Sequence, residues 1–141
     1  MLFARIIGAA LFAALFVVFI VQVTARFVFD RPLPWTDEAA VILYVWVILW
    51  SAALIVPERD HVAFDLVWNL ASARIRKAMR AVGLLTVGAL AAWALPATVD
   101  FARFMAREGT AVLGLPLVWL FAPFVLLLIS MVVRSAIGLF R

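Results

Sequence analysis

Four stretches of the chain are almost entirely apolar, and each is long enough to cross a lipid bilayer as a helix. They cover residues 6–25, 39–56, 81–99 and 115–133. A bilayer core requires roughly 20 mostly apolar residues in helical form. Backbone polar groups in lipid must be satisfied within their own segment, which makes helices the default. The pattern predicts an all-α membrane protein with four transmembrane helices in a single domain, residues 1–141.

The connection between the second and third spans has a different pattern. On a helical wheel of residues 62–80, one face is mainly apolar and the opposite face is polar and basic, although Leu66 and Leu70 interrupt the division. Basic amphipathic segments commonly lie in the membrane interface. We therefore predict an amphipathic interfacial helix here. The alternative is an ordinary loop that ends in positive charge.

The composition agrees with a membrane protein and removes several kinds of site. Of 141 residues, 69% are hydrophobic and 14% are charged, whereas about a quarter of a soluble domain is charged. Cysteine is absent, which excludes disulfides, thiolate nucleophiles and cysteine metal ligands. The single histidine, His61, is too few for a bis-histidine haem. We interpret the net charge of +4 as loop charge that orients the helices, not as a nucleic-acid surface.

The positions of Lys and Arg predict the orientation of the helices. The larger set lies in the two tails and the middle connection: Arg5, Arg59, Arg74, Arg76, Lys77, Arg80, Arg134 and Arg141. The smaller set lies in the other two connections: Arg26, Arg31, Arg103 and Arg107. Because positively charged loops tend to stay in the cytoplasm, both termini are predicted to be cytoplasmic.

Two adjacent acids, Asp37 and Glu38, stand directly before the second apolar run. Thr36 is a favoured helix N-cap type, and the helix dipole favours negative charge in the first turn. Trp35 suits the headgroup level, where aromatic residues are enriched. Local physics thus explains both acids as helix-start residues. In the alternative interpretation, they pair with a basic residue on another subunit or on a soluble partner.

Other candidate residues lie near the ends of the spans or carry large aromatic rings. Asp60 and His61 follow the second span and are predicted to cap its cytoplasmic end, although His61 could also relay protons. Four more are candidates for contact with a subunit or a binding protein: Arg103, Arg107, Trp46 and Trp50. The alternative is local pairing for the two arginines and contact with lipid for the two tryptophans.

Pairs of small residues four positions apart indicate where helices could pack closely. Three such pairs stand in the first and third spans: Ala9 with Ala13, Ala10 with Ala14, and Gly88 with Ala92. In a chain so rich in alanine, the pattern alone does not specify the contacts.

The interior of each predicted span lacks Asp, Glu, Lys, Arg and His. Ion-coupled transporters usually place ionisable groups inside the membrane and bind substrate near its midplane. A channel would need a ring of carbonyls or charges. The chain by itself is therefore not expected to move a charged solute. Its sequence is typical of a partner subunit.

Several short motifs, in order, resemble one transporter family. They are Arg26-Phe27-Val28-Phe29, Pro32-Leu33-Pro34-Trp35-Thr36-Asp37-Glu38, Trp46, Asp60-His61-Val62 with Asp65-Leu66, Gly109-Thr110, and Leu115-Pro116 with Trp119. Their order and spacing resemble the small membrane subunit of tripartite ATP-independent periplasmic (TRAP) transporters. The chain departs from that pattern at Trp50-Ser51, where a glycine is usual.

The resemblance implies a role in a three-part secondary transporter of the bacterial inner membrane. A periplasmic binding protein would deliver an organic acid, and a large membrane subunit would hold the substrate and sodium sites and move as an elevator. This chain would be a non-catalytic scaffold with no cofactor of its own, in contact with lipid and the large subunit. Arg26, Trp35, Asp37 and Glu38 become candidate interface residues by the same resemblance.

Two other functions remain open. The chain could anchor a different membrane complex, such as an electron-transfer enzyme, or it could be an autonomous, oligomeric small transporter. The sequence names neither the substrate nor the helix face that meets a large subunit.

Overall fold

The computed structural model describes residues 2–56 and 72–140. Helix α1 is Leu2–Phe27, and α2 is Pro34–Trp50 with a π-helical extension, Ser51–Ile55. Helix α3 is Ala73–Met105, and α4 is Val118–Leu139. Each of the four, with α2 taken together with its extension, is long and apolar enough to cross a membrane. The predicted all-α fold class with four spanning helices is therefore confirmed.

Most helix boundaries lie beyond the apolar stretches because helices continue through flanking polar residues. The predicted start of the fourth span at residue 115 is wrong, because residues 115–117 belong to the preceding loop and the helix begins at Val118. Residues 73–80, which belong to the predicted interfacial helix, form the first turns of the 33-residue helix α3. Residues 62–71 lie outside the described part of the chain. The interfacial helix thus stays a prediction.

The four helices pack side by side in an open row. Helix α1 packs on α2, α2 packs on α4, and α4 packs on α3, which is the most extensive pairing. No substantial contact joins α1 to α3 within the described residues, so the row does not close into a bundle. The order in space is therefore α1, α2, α4, α3. Helices α1 and α3 form the two edges of this layer.

An open row leaves most side chains exposed to the surroundings. Among the described residues, the buried positions are few and mostly small, and they lie where helices touch: Gly8, Thr36, Ala53, Ala91, Ala102, Pro123 and Ser135. Large apolar side chains face outward on every helix, and Trp93 at the α3 edge is 81% exposed. Exposed apolar area on this scale signals contact with lipid or protein. Together with four helices that are long and apolar enough to span, this exposure is typical of a membrane protein.

Helices α3 and α4 approach closely at Gly88. A Cβ atom added there would lie 2.8 Å from Cβ of Ser135, whereas one added at Gly83 would meet nothing within 4 Å. Small residues allow this kind of close helix contact in membranes. Gly88 therefore supports the predicted small-residue packing. The other members of the predicted pairs are exposed instead: Ala92, Ala9, Ala10, Ala13 and Ala14.

Replacing Gly88 with alanine is expected to lower the thermal stability of the purified protein. The added methyl group would force apart α3 and α4, and overpacking of this kind costs about 1–3 kcal/mol. Gly83→Ala is the matched control, expected to be neutral or to gain up to about 1 kcal/mol from helix propensity. Thermal midpoints in detergent compare the two, and equal midpoints would contradict the close contact.

Candidate functional site

The carboxylate of Glu38 fastens the start of α2 to the loop between α3 and α4. Its Oε1 accepts a hydrogen bond from the backbone N–H of Val112 at 2.8 Å, and its Oε2 accepts one from Leu113 at 2.9 Å. Because both oxygens act as acceptors, this geometry suits the ionised carboxylate. Glu38 is therefore more than a helix-start residue: it holds a loop 74 and 75 positions away in the chain.

The loop that Glu38 holds is compact, and residues 109–117 are named the tip loop. Gly109 pairs with Pro116 in an isolated antiparallel bridge, and the N–H of Thr110 donates to the carbonyl of Leu115 at 2.9 Å. The hydroxyl of Thr110 accepts from the N–H of Leu115 at 3.1 Å. Gly114 has φ of +63°, a conformation that glycine adopts without steric cost. These bonds give the loop a fixed shape.

The neighbouring acid, Asp37, joins α2 to α1. Its Oδ1 accepts a hydrogen bond from the side-chain amide of Gln22, near the end of α1. No sequence pattern indicates this pairing, because a single glutamine near the end of an apolar span has many possible partners. Asp37 and Glu38 thus make contacts on both sides of α2.

The prediction that Thr36 caps α2 is wrong. The helix begins at Pro34 with Leu33 as N-cap, so Thr36 lies inside the first turn. Its side chain is fully buried, and the hydroxyl donates to the carbonyl of Leu33 at 2.6 Å. Proline is favoured at the first helical position because it has no N–H to satisfy, which moves the start of the helix before the threonine.

Trp46 and Trp50 use their indole N–H groups inside the chain. Trp46 donates to the carbonyl of Trp119 on α4 at 2.8 Å, and Trp50 donates to the carbonyl of Ala4 on α1 at 3.0 Å. The two rings are 6.4 Å apart, centroid to centroid. Both tryptophans therefore join neighbouring helices of the layer. The interpretation that they also face a partner stays a prediction.

Replacing Trp50 with phenylalanine is expected to loosen α1 from α2. The substitution keeps an aromatic ring and removes the donor to Ala4, a loss of about 1 kcal/mol for a typical hydrogen bond. Trp93→Phe is the control, since Trp93 is exposed at the far edge. A lower thermal midpoint for the Trp50 variant alone is the expected result. Equal midpoints would show that the bond adds nothing to stability.

At the opposite end of the layer, Arg134 closes the end of the π-helical extension. Its guanidinium donates to the carbonyl of Val56 at 2.7 Å and to that of Ala53 at 2.6 Å. The hydroxyl of Ser130 donates to the carbonyl of Ala53 as well. The last carbonyls of a helix have no partners within it and carry partial negative charge, so a cation is favoured there. In the sequence, Arg134 stands out only as one of the charges that orient the helices.

The departure at Trp50-Ser51 coincides with the start of the π-helical extension. Close approach of α1 to this region occurs through Gly8 instead, where an added Cβ would lie 2.7 Å from Cδ1 of Ile55. A glycine on α1 thus provides the space for a bulky residue on the extension of α2.

The remaining predicted site residues lie on the surface or outside the described part of the chain. Arg26 and Trp35 are exposed at the end of α1 and the start of α2. Arg103 makes a local ion pair with Asp100 at 3.9 Å, and Arg107 is exposed just after α3. Asp60 and His61 lie outside the described residues. The exposed basic side chains thus share the Glu38 end with the tip loop.

Residues 2–56 and 72–140 contain no cluster of His, Asp and Glu that could hold a metal ion. Several of their polar side chains join one helix or loop to another, among them Glu38, Trp46 and Arg134. Such an arrangement can fix a shape and present surfaces. The class that fold and contacts define is a multi-pass membrane protein built as a single helical layer.

The comparison with known proteins places this layer in one family. The family described as "Tripartite ATP-independent periplasmic transporters, DctQ component" matches residues 15–141, and the chain belongs to it. The chain is similar to the sialic acid TRAP transporter permease protein SiaT of Haemophilus influenzae (strain 86-028NP), with 38% identity over 71 residues. That stretch covers 50% of this chain and 12% of the relative's length. The resemblance found in the sequence motifs is confirmed.

Proposed function

We propose that this chain is the fixed small subunit of a TRAP-type secondary transporter, and that it holds in place a large membrane subunit that moves substrate. The transported solute would be an organic acid delivered by a periplasmic binding protein, with uptake coupled to sodium. Sodium and substrate would bind to the large subunit. This chain would have neither cofactor nor catalytic residue.

The single observation that carries this proposal is the open helical row. A layer of four helices exposes two broad apolar faces, and one of them can pack against a large partner while the other meets lipid. Membrane helices associate through van der Waals packing and interhelical hydrogen bonds, not through a hydrophobic driving force. Trp46 and Arg134 join α2 to α4, and Glu38 joins α2 to the tip loop, which supports the layer as a fixed surface for such packing.

A groove between α1 and α2 adds a candidate contact on one of these faces. It is wholly apolar and is lined by aromatic and aliphatic side chains: Phe12, Leu15, Phe16, Phe19, Ala40, Val41 and Tyr44. Apolar grooves of this kind accept the ridge of a neighbouring helix. We infer that this groove contacts the large subunit and does not serve as a binding site for a polar solute.

The proposed location is the bacterial inner membrane with both termini in the cytoplasm. In that orientation, the Glu38 end with Trp35, Arg26, Arg103 and Arg107 faces the periplasm. Exposed arginines there suit contact with carboxylates on the docking binding protein, since charged rims raise association rates.

Purification from native membranes tests the assembly. The full chain would be tagged, extracted gently and identified together with whatever accompanies it by mass. A stoichiometric partner with many more spans, joined reversibly by a soluble periplasmic protein, is the expected result. Isolation of the chain alone as a stable oligomer would contradict the proposal and support an autonomous transporter.

The second alternative, an anchor for an electron-transfer enzyme, has its own readout. A haem- or flavin-containing partner would absorb visible light in the purified complex. The proposed transporter subunit is expected to purify with a partner that shows no such absorbance.

A further inference from the structure

We propose that the tip loop, residues 109–117, inserts into the lipid leaflet at the Glu38 end and anchors that end of the layer to the membrane. Its side chains suit this location. Apart from Thr110, the segment from Gly109 to Leu117 contains only glycine, proline, alanine, valine and leucine. Val112 is 53% exposed, Leu113 38% and Leu115 41%. The apolar side chains of the loop therefore point partly outward.

The backbone N–H groups of the loop tip are satisfied within the chain, which lowers the cost of moving them out of bulk water. Each residue from Val112 to Leu115 donates its N–H within the chain: two to Glu38 and two to Thr110. An unsatisfied backbone donor in lipid costs several kcal/mol, so pairing these donors lowers the cost of placing the loop in the interfacial layer beside the hydrocarbon core. A loop fully in water would need no such pairing, because water would bind the same groups.

The level of Glu38 along α2 places the loop near the edge of the hydrocarbon layer. Helix α2 with its extension, Pro34–Ile55, has 22 residues, or about 33 Å at 1.5 Å per residue. That is close to the roughly 30 Å thickness of a hydrocarbon core. Glu38 lies four residues inside the helix, about 6 Å from its start. The N–H groups that it binds must lie at nearly the same depth.

These features favour lipid, and not a protein surface, as the contact of the tip loop. Two exposed aromatic residues lie at this end of the layer: Trp119 follows the loop in sequence, and Trp35 precedes Glu38 in the first turn of α2. Tryptophan is enriched at headgroup depth. It has no charged side chain that would require a complementary protein surface. Carbonyl groups of the tip can still reach headgroup water at this depth. The Glu38 carboxylate thus permits two backbone donors to enter the interface.

The test uses the absence of native cysteine. Single cysteines would be introduced as Val112→Cys and, as a second reporter, Leu115→Cys, and labelled with an environment-sensitive fluorophore. Trp93→Cys on the exposed α3 edge is the lipid control, and Arg31→Cys in the α1–α2 connection is the water control. The full chain, with any membrane subunit that copurifies, would be placed in phosphatidylcholine nanodiscs. Quenching by acyl-chain nitroxides is compared with quenching by iodide in water.

Labels at Val112 and Leu115 are expected to be quenched more by nitroxide than by iodide, as at Trp93, with emission shifted to shorter wavelength. Stronger quenching by iodide, as at Arg31, would overturn the proposal. Protection from both quenchers would also overturn it, because a protein surface would then cover the loop. Circular dichroism and elution volume confirm that each variant is folded, and agreement of the two reporters guards against a local effect of one label.

Discussion

Replacing Arg134 with alanine is expected to lower the free energy of unfolding by about 3 kcal/mol. The guanidinium supplies hydrogen bonds to the carbonyls of Val56 and Ala53 at the end of the π-helical extension. Hydrogen bonds to charged groups contribute roughly 1.5–3 kcal/mol each, and the alanine variant leaves the carbonyl of Val56 without this donor. Thermal midpoints or denaturant midpoints in detergent measure the loss.

Two variants make the comparison specific. Arg134→Lys keeps the positive charge and loses the planar fork, so an intermediate loss is expected. Arg103→Ala removes an exposed arginine whose ion pair with Asp100 is local, and such pairs contribute at most about 1 kcal/mol. If Arg134→Ala and Arg103→Ala had the same midpoint, the guanidinium would not hold the end of α2.

Replacing Glu38 with alanine is expected to free the tip loop and to reduce transport by the assembled complex. The carboxylate is the acceptor for both Val112 and Leu113, and alanine leaves these two donors without a partner. Hydrogen exchange in a peptide covering residues 108–117 should rise toward that of an unprotected loop. Membrane insertion should be unchanged, since the apolar length of α2 is unchanged.

Glutamine and the neighbouring acid provide the controls. Glu38→Gln retains one oxygen but points an N–H donor where the second oxygen was, so partial protection is expected. Asp37→Asn keeps the oxygen that accepts from Gln22 and does not touch the loop, so exchange at residues 108–117 should match the parent. If hydrogen exchange and transport were both unchanged in Glu38→Ala, Glu38 would neither hold the tip loop nor matter for transport.

Helix content was predictable from sequence because each span is long, apolar and free of charge in its interior. The order of the helices in the row was not predictable. Spans that are apolar all round do not reveal which side faces a neighbour, and only a narrow stripe of α3, including Gly88, Ala91 and Ala102, is turned toward α4. The residues at the helix contacts are small, and many similar small residues elsewhere in the chain are exposed instead. The sequence therefore does not single out the contacting ones.

The candidate site was predicted only in part. Local helix physics singles out Asp37 and Glu38 but places the cap at Thr36, whereas the cap belongs to Leu33. The bond from Glu38 to the tip loop joins residues 74 and 75 positions apart, and no local pattern encodes such a distance. Ser130 and Arg134 are four residues apart on one helix face, a spacing that could have suggested a shared partner.

We propose that this chain supports transport without carrying substrate itself. The direct measurement is solute flux into proteoliposomes under an inward sodium gradient, with this chain alone, the large subunit alone, or both, and the binding protein added outside. The probe is the organic acid identified by mass on the copurified binding protein. We expect flux only when both membrane subunits and the binding protein are present. Flux with this chain alone would show that the chain carries substrate itself and would contradict the proposed supporting role.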